Sequence, residues 1–133
     1  MEIFTIVTLS LSGILLLYAG ISRVIKPIKS FCLQAYLEDP GIKLEGKVDV
    51  FNEMRGAGAS LALGGIIILL GTIMLEFRLT SHVVAIVIFF GFAIGRLLSL
   101  ALDGKPNKAL VQATISESIF GALNIFGLVN ILM

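Results

Sequence analysis

Arg96, Ser99 and Asp103 stand at i, i+3 and i+7 in the run Gly95-Arg96-Leu97-Leu98-Ser99-Leu100-Ala101-Leu102-Asp103. On a helix that spacing puts all three on one face. Arg96 lies seven residues inside the polar boundary of a very apolar segment, roughly 10 Å deep at about 1.5 Å per residue. An arginine at that depth is costly, so a pairing or binding role is the default expectation.

The carboxylate that matches it is Glu117. It lies in the last apolar segment, on a face shared by Thr114, Gly121 and Asn124. About eight residues of helix place it roughly 12 Å inside. The turn between the last two segments is short, so they are antiparallel neighbours, and Arg96 and Glu117 match in depth. An ion pair there offsets much of the desolvation cost of each group. Glu53 and Arg55, at the entrance of the second segment, lie nearer the surface and extend the cluster towards Asp103. The candidate ligand-binding set is therefore Glu53, Arg55, Arg96, Ser99, Asp103, Glu117 and Asn124.

Two chemistries compete for this set. In one, Arg96 and Glu117 are a clamp between helices, or Arg96 snorkels to lipid phosphates. In the other, the cluster lines a cytoplasm-facing cavity and holds the polar part of a ligand. The mixed signs argue against a cation cage. They suit a zwitterionic or phosphate-bearing lipid headgroup, or another amphiphile with its apolar part between helices. General acid–base work by Glu53 or Glu117 is open in principle. No nucleophile–base pair is identifiable, so no catalysis is assigned.

The elements that must position these groups follow from composition. The chain has 133 residues, room for one domain over 1–133; 57% are apolar, 14% are charged and the mean hydropathy is +1.03. That is a membrane composition. Four apolar segments, at about 3–25, 53–75, 83–102 and 109–132, are each long enough to span a hydrocarbon core of roughly 30 Å. The expected fold is all-α, an up-down-up-down four-helix bundle. A short amphipathic interfacial helix is expected over residues 28–37, followed by a turn at Glu38-Asp39-Pro40-Gly41. Asp49 or Asn52 is expected to cap the second helix.

Gly13 and Gly20 share one face of the first segment and offer a groove to a neighbour. Gly56, Ser60 and Gly64, and the Gly91-x-x-x-Gly95 pair, are expected at close crossings. Cys32 is the only cysteine and His82 the only histidine. One protomer therefore cannot build a disulfide, a Cys/His zinc site or a bis-histidine haem site. No metal site and no cofactor is expected. His82 falls in the polar stretch Glu76 to His82 and is expected to be a solvated loop residue. No basic tract interleaved with aromatics supports nucleic-acid binding.

Lysine and arginine set the orientation. Arg23, Lys26, Lys29, Lys43, Lys47 and Arg55 flank the first connection, and Lys105 and Lys108 the third, against Arg78 alone on the second. The expected placement is a multi-pass inner-membrane protein with both termini outside the cytoplasm.

The order of motifs resembles an uncharacterised bacterial four-helix membrane family, domain of unknown function 4345. The residues that carry the resemblance are Gly20 before Pro27, Asn52-Glu53-Met54-Arg55-Gly56, Arg96-Leu97-Leu98-Ser99 with Asp103-Gly104-Lys105-Pro106, and Glu117. It implies a four-helix inner-membrane protein and draws Glu53, Arg55, Arg96, Asp103 and Glu117 together. It implies no substrate or reaction. Three functions stay open. The first is binding of a membrane lipid or amphiphile. The second is an accessory or scaffold subunit, with a membrane-complex partner or a second copy on a leftover glycine face. The third is a transporter or proton relay, disfavoured because only Thr72 and Asn124 offer polar atoms towards the outer side.

Overall fold

The computed structural model describes residues 1–27, 30 and 46–133. Its four helices are α1 (Glu2–Ile25), α2 (Val48–Ile73), α3 (Arg78–Asp103) and α4 (Lys108–Leu132), with a 3-10 turn at Leu75–Phe77 between α2 and α3. No strand occurs among the described residues. All four helices are long and apolar enough to cross a membrane. The interfacial helix expected over 28–37 and the turn at 38–41 lie outside the described residues.

Two boundaries differ from expectation. α2 begins at Val48, so Asp49 sits in its first turn and Asn52 and Glu53 lie inside the helix. Neither Asp49 nor Asn52 caps it; the cap position is Lys47, with no side-chain bond. α3 begins at Arg78, which places His82 in the helix. The turn between α3 and α4 follows ordinary capping chemistry. Asn107 accepts the Leu110 backbone N–H at 3.1 Å and starts α4. Gly104 ends α3 with φ +107°, a conformation that side chains avoid.

α1 packs most extensively on α2, and α3 on α4; α2 joins the two hairpins through α3, and α1 and α4 meet more loosely, with only the diagonal α1–α3 contact weaker. Glycine spacing explains the tight pair. Gly13 and Gly20 on α1 and Gly58 and Gly65 on α2 are each seven apart. A Cβ at Gly65 would lie 2.8 Å from the Leu17 backbone nitrogen, and one at Gly58 2.8 Å from the Gly20 carbonyl. At Gly20 it would run into the backbone of Ala62. These helices touch main chain to main chain, which only glycine permits.

The expectation for the other glycines is corrected in part. Gly64 faces Ile88 of α3 closely, but a Cβ at Gly56, Gly91 or Gly95 would meet nothing within 4 Å. Ser60 is exposed too. Spacing shows that close approach is allowed; here α2 and α3 turn those positions outward.

The pattern of burial is that of a protein solvated by lipid. Ile3, Tyr18, Ile73, Val87, Ile94 and Leu102 are exposed apolar side chains on the outer faces, while Thr5, Thr8, Ser12, Ser81, His82 and Asn124 are buried. Between them lies a small apolar core of Leu9, Leu16, Leu61, Ile68, Ala85 and Phe89. Phe89 stacks on Phe120 with ring centroids 5.3 Å apart. At the Met1 end, Glu2 pairs with Arg78 at 3.0 Å, and Phe4 meets Phe126 edge-on at 5.2 Å.

Candidate functional site: an arginine–glutamate pair in the α1–α4 cleft

Arg96 comes from the last two turns of α3 and Glu117 from the third turn of α4. Arg96 Nε donates to both carboxylate oxygens of Glu117, at 2.9 and 3.2 Å.

The pair stands in the wall of a cleft of about 610 Å³ at the α1–α4 seam. Arg23, Ser22 and Ser30 line it from the first helix and the chain after it; Gln112 and Ser116 line it from α4. The deeper wall is apolar: Leu15, Leu16, Leu61, Phe89 and Phe92. Tyr18 and Leu15 line the cleft and also face outward.

Arg23 is the residue that reading the sequence missed. Its guanidinium lies 5.7 Å from the Phe92 ring centroid, and that of Arg96 lies 5.6 Å from the same ring. Phe92 thus holds both cations in place. Glu117 is tied to Arg96, whereas Arg23 has no carboxylate partner among the described residues. Among its described lining residues the cleft therefore carries one cation in excess. The available signal was depth: Arg23 stands four residues before Pro27, at the same end of the bundle as Arg96.

The other candidates sit elsewhere. Arg55 donates to the carbonyl of Val24, in the last turn of α1. It satisfies a helix-end acceptor rather than facing Glu117. Ser99 donates to Asp103 at 2.8 Å, and that pair is exposed at the end of α3. Glu53 is exposed and forms no ion pair among the described residues.

Asn124 belongs to a second polar group, towards the Met1 end. Its amide nitrogen donates to Ser12 at 2.9 Å and to the Phe120 carbonyl at 2.8 Å; its amide oxygen faces His82 Nδ1 at 2.9 Å. His82 is fully buried, not a solvated loop residue as its neighbours in sequence suggest. Gly127 makes room for the ring, since a Cβ there would lie 2.8 Å from Nε2. Ser81, also buried, donates to the Ile67 carbonyl at 2.8 Å. This half of the bundle is thus more polar inside than Thr72 and Asn124 alone imply.

The chain belongs to the family described as Domain of unknown function (DUF4345), whose model matches residues 4–128. No curated protein and no solved structure matches it.

Proposed function

We propose that this family member is a multi-pass inner-membrane protein, both termini outside the cytoplasm, that binds an acidic amphiphile in the α1–α4 cleft. The head group lies against Arg23 and Arg96 at the cytoplasmic end, and the tail runs along Leu15, Leu16, Leu61 and Phe89. One observation carries this reading: a single cleft joins an excess cation among its described lining residues to an apolar wall, where α1 and α4 meet more loosely than the other neighbouring helices. A phosphate or carboxylate head balances Arg23, while Glu117 holds Arg96 in place. Ser22, Gln112 and Ser116 supply further polar atoms to the head.

A second reading, a scaffold subunit, has its own observation. Ala57, Ser60, Val87, Ile88 and Gly91 line an open apolar groove of about 410 Å³ between α2 and α3. Such a groove accepts side chains of another helix as readily as acyl chains. A through-path is the weakest reading, because Leu9, Phe89 and Phe120 stand between the two polar groups.

Native mass spectrometry of the protein extracted in mild detergent tests the proposal. One acidic amphiphile retained per chain supports it. Stoichiometric partner polypeptides without a retained amphiphile support the scaffold reading, and a chain that retains neither amphiphile nor partner overturns the ligand role of the cleft.

A further inference from the structure

The polar group around His82 is not used by the amphiphile reading, and its protonation follows from one carbonyl. The Phe120 oxygen can only accept, so the Asn124 atom 2.8 Å away is the amide nitrogen. That nitrogen spends its second hydrogen on Ser12. The Asn124 oxygen then faces His82 Nδ1 at 2.9 Å, and since it can only accept, Nδ1 carries the proton. A neutral imidazole has one N–H, so Nε2 is a bare acceptor. This atom is buried and meets no donor among the described residues.

Among the described residues one other buried side-chain atom shares that condition: Arg78 Nε. It is always a donor. Arg78 and His82 are four residues apart on α3, so they stand one turn apart on the same face. Arg78 is held at the rim by its Nη2, which donates to Glu2 at 3.0 Å. A buried donor and a buried acceptor, one turn apart, call for one molecule that accepts from the first and donates to the second. Burying a donor or an acceptor without a partner costs its full desolvation.

We infer that a water molecule is bound between Arg78 Nε–H and His82 Nε2. It completes a hydrogen-bonded chain from Glu2 and Arg78 through His82 and Asn124 to Ser12. Thr5 and Thr8 are buried on the α1 face that carries Ser12. The imidazole lone pair is thereby coupled to the rim that holds Glu2. The apolar layer of Leu9, Phe89 and Phe120 separates it from Glu117. The inference is independent of the amphiphile reading and stands or falls apart from it.

His82 is the only histidine, so labelling histidine with ¹⁵N gives one imidazole to observe. In vesicles of phosphatidylcholine and phosphatidylglycerol, solid-state NMR should show Nδ1 protonated and Nε2 bare but hydrogen-bonded. Nε2 should give a cross-signal to a proton that exchanges with solvent and has no lipid C–H neighbours. Arg78→Leu should abolish that cross-signal and leave the Nδ1–Asn124 bond. Arg78→Met serves as a second variant if the first fails to fold; it keeps an unbranched stem, has no N–H to donate and should have the same effect. An Nε2–H tautomer, a bare Nε2 with no exchangeable proton beside it, or lipid C–H signals in place of water would each overturn the inference. So would a cross-signal unchanged in both Arg78 variants.

Discussion

Arg96 Nε lies 2.9 Å from a Glu117 oxygen, with the two side chains only 20% and 16% exposed, so each group is held largely out of solvent by the other. The partners come from consecutive helices and belong to the wall of a cleft that combines charge with an apolar lining. Removal of one partner strands a charge. Removal of both does not.

Single substitutions Arg96→Met and Glu117→Leu should therefore each destabilise the bundle by roughly 3–5 kcal/mol. The double variant should recover most of that loss, because a packed apolar pair replaces a buried ion pair at little cost. Thermal unfolding in one detergent, read for all four proteins, checks the cycle. Additive losses would mean that the two side chains do not act as a pair.

Glycine positions separate the tight helix pair from the open faces. Gly20→Leu should prevent α1 and α2 from meeting main chain to main chain, at a cost above the roughly 1–3 kcal/mol usual for overpacking. Gly95→Leu should change stability by less than about 0.5 kcal/mol, as expected for an outward position. Comparable losses from both would contradict the packing of α1 on α2.

Asn124 is the hub of the second polar group, so its loss should exceed that of any one partner. Asn124→Leu strands His82 Nδ1–H and frees the Ser12 hydroxyl, and should cost roughly 1–3 kcal/mol for each stranded group. Ser12→Ala leaves the His82 bond intact and should cost about 1 kcal/mol. Equal effects in thermal unfolding would show that Asn124 is not the shared partner.

These contrasts also show what the sequence made legible. The four helices follow from long apolar runs, and Arg96 with Glu117 from depth counted along two antiparallel helices; both are one-dimensional quantities. Three-dimensional choices were hidden. The run Glu76 to His82 has the composition of a turn, yet Ser81 and His82 are buried because Ile67 and Asn124 satisfy them. Arg23 counts equally as a topology signal and as a cleft residue until Phe92 is seen beside it. Gly91 and Gly95 have a contact spacing, but which helix face meets a neighbour is decided by all four helices together.

Orientation can be read by labelling, with Cys32 first replaced by serine. A cysteine at Lys105 should react with a membrane-impermeant thiol reagent only after the membrane is opened. A cysteine at Thr80, in the first turn of α3 beside Arg78, should react from the outside. The reverse pattern would invert the topology and put the cleft on the outer side.

The most direct measurement is competitive lipid retention by native mass spectrometry, with the protein offered equal phosphatidylglycerol and phosphatidylcholine. The wild-type chain should retain phosphatidylglycerol at least about tenfold more, a difference of about 1.4 kcal/mol. Arg23→Gln should fold normally and lose that preference, and the Arg96→Met/Glu117→Leu double variant should fold and retain little of either lipid. Equal retention of both lipids by the wild type, or undiminished retention of phosphatidylglycerol by the folded double variant, would contradict an acidic amphiphile site built on Arg23, Arg96 and Glu117.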